Sequence, residues 1–242
     1  SVEPQGGHDR PGRIAVIGGA VLDRKYHAHA ELILETSNPV DGHRNFGGVA
    51  RNIAENLARL EVPASFVSIV GDDESGRAIV GHLRSLGARV DAVAVTGERP
   101  TAEYVAVLDP RNDLLIGLAD MAIFDQLTPE QLDAAWPEIA SADWILADCN
   151  LPVRTLAFLI GRARDEGLRL AVNTVSSPKA MRLPKALSGV ALLFTNLDEA
   201  SAMLGGARMS AVEAAAALVA AGAGQAIVTE GAKGYAVAGA DG

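Results

Sequence analysis

Short apolar runs alternate with helical stripes along most of this chain. Ile14-Ala15-Val16-Ile17 is an unbroken apolar run ended by Gly18-Gly19, the pattern of a strand buried on both faces and followed by a turn. Strand patterns recur at Ala64 to Val70, Trp144 to Ala147, Leu168 to Val172, Val190 to Phe194 and Ala226 to Val228. Between them, Ile53, Leu57 and Leu60 recur at i, i+4 and i+7 and predict one buried helical stripe. A second stripe, Ile79, Leu83 and Leu86, follows the start signal Asp72-Asp73-Glu74-Ser75 and stops at Gly87. Further helices are predicted from Pro129 to about Ile139, Pro152 to Glu166 with Gly167 as its stop, Leu197 to Leu204 and Ala211 to Ala221. Such alternation builds a mainly parallel sheet covered by helices on both faces, an α/β fold.

Two stretches break the rhythm. Ala30 to Thr36 reads as a strand but runs into Ser37-Asn38-Pro39 and a polar loop instead of a helix. Ala102 to Leu108 and Leu114 to Leu118 flank Asp109-Pro110-Arg111-Asn112-Asp113, a hairpin turn by composition. These pieces, around 26–46 and 101–118, predict a small antiparallel sheet standing off the main one, with a lid as its functional form.

Composition narrows the class. A chain of 242 residues suffices for one large α/β domain, and 49% hydrophobic with 21% charged residues describes an ordinary globular protein. A net charge of −9 argues against a broad nucleic-acid surface but leaves room for a nucleotide pocket. Cys149 is the sole cysteine, which excludes an internal disulfide or a cysteine metal cage and predicts a reducing, cytoplasmic setting. Residues 1–12 read as a polar tail, and no stretch is apolar enough to cross a membrane.

The chemistry gathers at the strand ends. Gly47-Gly48 runs straight into a helix, so the backbone can bend there and a ligand can approach the main chain. Asn52 falls on that helix's first turn, where free N–H groups suit a hydroxyl-rich or anionic ligand. Asp23 comes just beyond the first strand, placed either for a substrate hydroxyl or as a turn or capping Asp. Asp148 and Asn150, Asn173 and Thr174, and Asn196 and Glu199 each follow a strand, so one sheet edge is polar. Asn196-x-x-Glu199 also has the form of a capping box. Thr229, Gly231 and Gly234 belong either to a β-hairpin or to a backbone nest for phosphate oxygens. A Gly-x-Gly-x-x-Gly fingerprint and a Walker A loop are both absent, which argues against a dinucleotide oxidoreductase and a P-loop kinase.

Taken together and in order, the strand with Gly18-Gly19 and Asp23, Gly47-Gly48-x-x-x-Asn52, Asn196-x-x-Glu199 and Thr229-x-Gly231-x-x-Gly234 resemble the ribokinase-like (PfkB) carbohydrate kinases. Ser37-Asn38-Pro39, Gly47 to Leu57, Asp120-Met121 and Ala147-Asp148-Cys149-Asn150 are similar to the pseudouridine kinase branch. The resemblance implies a ribokinase-like three-layer sandwich and ATP-dependent phosphorylation of a nucleoside 5′-hydroxyl. It implies Asp23 and Asn52 as ribose ligands, Gly47 and Gly48 as the junction of lid and body, and Asp120 and Asp148 in the pocket walls. Asn196 and Glu199 would organise Mg²⁺ and the phosphates, and Thr229, Gly231 and Gly234 would lie along the nucleotide. The family's Asp-Thr-x-Gly-Ala-Gly-Asp stretch, with the general base, does not occur among these residues, and Asp241 follows Thr229 too closely to replace it. The resemblance therefore places the general-base Asp beyond Gly242, with no catalytic residue of that kind within the chain. The expectation is a C-terminally incomplete kinase domain over 13–242, inactive as it stands. Alternatives are another sugar kinase of the ribose or fructose type and a non-catalytic nucleoside-binding or sugar-binding remnant. Asn173-Thr174 also stands where the family pattern has Asp-Pro. The lid's apolar Ala102 to Leu108 run permits a homodimer.

Overall fold

The computed structural model describes residues 12–206 and 208–239. Most of the expected N-terminal tail lies outside the described residues, and so do Asp241, Gly242 and the general-base Asp expected beyond Gly242. In chain order the strands are β1 (Ile14–Ile17), β2 (Val21–Ala28), β3 (Val40–Gly47), β4 (Ala64–Gly71), β5 (Val93–Thr96), β6 (Glu103–Leu108), β7 (Leu114–Asp120), β8 (Trp144–Asp148), β9 (Leu170–Asn173), β10 (Leu192–Asn196), β11 (Gln225–Thr229) and β12 (Tyr235–Gly239). The helices are α1 (Val49–Arg59), α2 (Glu74–Ser85), α3 (Pro129–Ala134), α4 (Trp136–Ala140), α5 (Val153–Asp165), α6 (Ser177–Ala180), α7 (Leu197–Met203) and α8 (Ala211–Ala220).

Eight strands form one sheet in the order β12-β11-β10-β9-β8-β1-β4-β5, parallel throughout except for the β11–β12 pair. Alternation along β1 explains how it is covered: Val16 joins Phe66, Val70, Ala50, Ala54, Ile79 and Leu83 beneath α1 and α2. Ile17 joins the larger cluster with Val67, Ile145, Leu156 and Leu159 on the other face. Both faces are buried, as the unbroken apolar runs require. The predicted α/β fold is what forms.

The second sheet has the order β3-β2-β6-β7. Its outer pairs are antiparallel, and β2 pairs with β6 in parallel. The turn between β6 and β7 falls at the predicted Asp109 to Asp113, where the Asp109 carboxylate accepts from the backbone N–H of Arg111 and of Asp113, both at 2.8 Å.

Three sequence expectations change. No strand forms over Ala30 to Thr36; Asn38 instead clasps Ile33, accepting from its N–H and donating to its carbonyl at 2.8 Å each. Ile33 and Leu34 there are 65% and 84% exposed, so their apolar character never found a sheet face. The strands of that half are β2 and β3, which places Asp23 inside a strand instead of in a turn. Leu60 is 72% exposed, past the end of α1, and Ala50 and Ala54 take the buried positions beside Ile53 and Leu57. The helix predicted from Pro129 to Ile139 is two, parted at Ala135 ahead of Pro137, whose ring cannot sit in a helix interior.

Leu159→Ala should therefore lower stability by about 3 kcal/mol, as a cavity in a closed core does, whereas Leu60→Ala should change it by less than about 0.5 kcal/mol. Paired urea denaturations read the contrast, and a costly Leu60→Ala would contradict the placement.

Candidate functional site

The polar edge of the large sheet meets the small sheet at one buried carboxylate. Asp148 ends β8 with no exposed surface. Its Oδ2 accepts from the backbone N–H of Gly19 at 3.1 Å, the N–H of Ala50 at 2.9 Å and Asn150 Nδ2 at 2.9 Å. Its Oδ1 accepts from the Asn150 N–H at 2.9 Å. Burial pushes this carboxyl above the ordinary carboxylate value, against the opposite pull of those four donors. Asp148, expected in a pocket wall, ties together the β1–β2 turn, the start of α1 and the segment after β8.

Gly47 and Gly48 join β3 to α1. Gly48 has φ 95°, and a Cβ there would lie 2.4 Å from the Gly19 carbonyl oxygen. A Cβ on Gly47 would lie 2.1 Å from an Asp23 carboxylate oxygen. Only glycine fits either place without moving the backbone or Asp23. Asp23, opposite Asn45 and Tyr104 in the small sheet, has its pKa raised by burial, with Lys25 and Arg51 pulling the other way.

Asn52 is set by its neighbour. Arg51, only 4% exposed, ion-pairs with Glu55 and donates to the Phe46 carbonyl at 3.1 Å and to Asn52 Oδ1 at 2.9 Å. Its guanidinium carbon stands 5.5 Å from the centroid of the Phe46 ring. The Asn52 oxygen is thereby committed, which leaves its amide nitrogen as the donor. Asn52 lines a cavity of about 990 Å³ beneath the small sheet, with Arg24, Arg44, Phe46, Asn56 and His82. Asp23 is not part of that lining, and Asp120 lies elsewhere, in a cleft of about 390 Å³ with Thr101, Glu103 and Leu118.

A separate cleft of about 270 Å³ lies at the carboxyl ends of β9 to β11, lined by Asn173, Thr195, Asn196, Glu199 and Thr229 among others. Asn196 and Glu199 complete a capping box: Asn196 Oδ1 accepts from the Glu199 N–H at 2.8 Å, and Glu199 Oε2 accepts from the Asn196 N–H at 3.2 Å. Glu199 Oε1 also accepts from Asn196 Nδ2 at 2.8 Å, and the Thr174 hydroxyl donates to Oε2. Gly231 and Gly234 have φ 57° and 100° in the turn before β12 but do not line the cleft. Among the described residues no three His, Cys, Asp or Glu side chains converge as a metal cage. One carboxylate and an amide suit a hard cation that keeps most of its waters.

Sequence reasoning missed Arg51, Lys179 and Arg182 as shapers of these sites. Arg51 carried a signal, since Arg51 and Glu55 are spaced for a helical ion pair. Lys179 donates to Asn150 Oδ1, and Arg182 donates to the carbonyls of Cys149, Asn150 and Leu151 at 3.2, 2.9 and 3.3 Å. Neither lies near its partners in sequence.

The chain thus combines a central sheet that is parallel but for one edge strand, a small sheet joined to α1 through two glycines, and polar residues at the strand ends. The pfkB family carbohydrate kinase pattern matches residues 12–242, and the chain belongs to that family. It is 31% identical over 192 residues to a pseudouridine kinase from Escherichia coli, covering 79% of this chain and 61% of that protein. It is also 31% identical over 158 residues to a guanosine-inosine kinase from Exiguobacterium acetylicum, covering 65% of this chain and 52% of that one. The chain thus spans between half and two thirds of these relatives' lengths. A carbohydrate kinase from Agrobacterium tumefaciens superposes with a TM-score of 0.82 at 32% identity, over 91% of this chain and 70% of that one. A ribokinase from Arabidopsis thaliana, solved with ribose and ATP, has a TM-score of 0.81 at 20% identity over 96% and 76% of the two chains, a likeness of fold.

Burial of the Asp23 carboxylate generates a test with a definite sign. A raised pKa means that the charged form is disfavoured by folding, so the penalty is absent at acid pH and grows as pH rises through the folded pKa. Asp23→Asn should therefore raise the melting temperature at pH 7 and leave it unchanged near pH 3. Calorimetric melts at both pH values check this; a stabilisation that persists undiminished at acid pH would contradict it.

Proposed function

We propose that this chain is the substrate-binding and nucleotide-binding part of an ATP-dependent kinase that phosphorylates the 5′-hydroxyl of a ribosyl nucleoside, pseudouridine above others. The observation that carries the reading is the Arg51-Asn52-Phe46 group beneath the small sheet. Arg51 holds the amide nitrogen of Asn52 as a fixed donor for a ribose hydroxyl, and Phe46 and Arg44 face the same cavity. A cavity of about 990 Å³ accommodates a nucleoside with room for the small sheet to close. The identity of 31% to the E. coli pseudouridine kinase supports the choice of substrate.

Each remaining residue has a part in this reading. Asp23 accepts from a second ribose hydroxyl, and Gly47 and Gly48 let the small sheet swing while the backbone stays close to the sugar. Asp148 positions both glycine turns without touching substrate, and Asp120 flanks the outer cleft. Glu199 and Asn196 are the residues that would hold Mg²⁺, which would supply charge neutralisation for the phosphates. Thr229 contacts the nucleotide, with the Gly231 to Gly234 turn presenting backbone N–H groups. Phosphoryl transfer depends on alignment and charge neutralisation more than on covalent help from the protein. A general-base carboxylate is still required, and none of these residues takes that role. The base belongs beyond Gly242 in this reading, so the 242 residues bind substrate and do not turn over.

Isothermal titration of the 242-residue chain checks this. Pseudouridine should bind at least about tenfold more tightly than ribose, and Asn52→Ala should weaken pseudouridine binding by about tenfold with an unchanged melting temperature, the loss expected for one hydrogen bond of about 1.4 kcal/mol. Equal affinity for ribose favours a sugar kinase. Phosphate transfer from ATP by this chain would overturn the account of the base.

A further inference from the structure

Lys179 has no part in the reading above, and its position calls for one. It lies on α6, just after β9, and β9 sits between β8 and β10 in the sheet. The segment that leaves β9 thus starts between Asp148, which anchors the ribose side, and Asn196 with Glu199 on the nucleotide side. The helix that carries Lys179, α6, packs against α7, which carries Glu199, while the Lys179 ammonium itself reaches Asn150 beside Asp148.

The side chain is aimed by a short relay. Asn150 Nδ2 donates to Asp148, which turns Asn150 Oδ1 toward the Lys179 ammonium. An amide oxygen is its sole hydrogen-bond partner among the described residues, and it forms no ion pair there. Partial burial lowers its pKa, and the Asp148 and Arg182 charges act on it in opposite directions. A half-buried ammonium without a counter-ion is costly unless an anion arrives. The approach is also held under strain: Val175, β-branched, has φ 68°, fixed by its N–H donating to Asn173 Oδ1 at 2.9 Å.

We propose that Lys179 binds the phosphoryl group between donor and acceptor, gripping a non-bridging oxygen of the donor's terminal phosphate and then of the phosphate ester formed. This rests on the kinase reading of the same site. In the transfer, the acceptor oxygen bonds to the γ-phosphorus as the bond to the β,γ-bridging oxygen breaks and ADP leaves with that electron pair. The hydroxyl proton goes to a carboxylate base outside these residues. Lys179 exchanges no proton and offsets charge on the equatorial oxygens.

Three probes on the 242-residue chain test this: pseudouridine and pseudouridine 5′-phosphate by isothermal titration, and inorganic phosphate by ³¹P NMR. The ester should bind at least about tenfold more tightly than the nucleoside, the scale of one charge-assisted hydrogen bond. Lys179→Met and Lys179→Gln should each erase that advantage and the inorganic phosphate response, while Lys179→Arg keeps part of both. An ester that binds no better than the nucleoside in the unsubstituted chain, or an advantage that survives Lys179→Met or Lys179→Gln, overturns the role of Lys179 and leaves the kinase reading standing. Loss of pseudouridine binding with a Lys179-dependent phosphate response overturns the substrate reading and leaves the anion site.

Discussion

The junction between the two sheets hangs from the Asp148 carboxylate. Burying an unpartnered carboxylate is prohibitive, and four N–H donors within 3.1 Å are what make this one tolerable. Those four donors come from three chain segments far apart in sequence: the turn after β1, the first residues of α1 and the loop after β8. One side chain thus sets the relative position of the glycine turns that carry the small sheet. Asp23, Asn52 and Asn150 inherit their places from it, although Asp148 reaches no solvent.

The molecule divides its chemistry along the sheet. On one side of β1, the small sheet and α1 enclose a large cavity whose cationic rim is held in check by Glu55, which takes both Arg51 and Arg59. On the other, the ends of β9 to β11 shape a smaller oxygen-lined cleft where Glu199 is locked by Thr174 and the capping box. The helix that carries Lys179 follows β9, which lies between the two halves in the sheet order. In the kinase reading proposed above, fixed backbone turns and a few oriented side chains would bring two ligands together with little covalent help.

Much of the fold was legible because burial on both sheet faces writes an unmistakable pattern. The runs Ile14 to Ile17 and Ala64 to Val70 could be little else, and the helix stops at Gly87 and Gly167 have positive φ as expected. The small sheet was harder. Val21–Ala28 carries Asp23, Arg24, Lys25 and His27, so its strand character rests on pairing with β3 and β6 and leaves no apolar alternation to read. Ile33 and Leu34 misled in the opposite sense, being apolar and exposed. For the site, residue types at strand ends were visible, while their employment was not. Asn196-x-x-Glu199 reads equally as helix cap and as phosphate-side pair, and its capping bonds are formed here. Asp148 was visible as a strand-end carboxylate, while the N–H groups that surround it come from distant segments that sequence cannot display. Lys179 and Arg182 act on atoms 29 to 33 residues away, and contacts of that span are absent from any local pattern.

The most direct test of the central claim is native-state hydrogen exchange at two amides. If the Asp148 carboxylate anchors the hinge, the Gly19 and Ala50 N–H groups should exchange only through near-global unfolding, as slowly as core strand amides of β1 and β4. Exchange of either amide at the rate of exposed loop positions would show that the junction opens freely, and the account of the site built on it would fail.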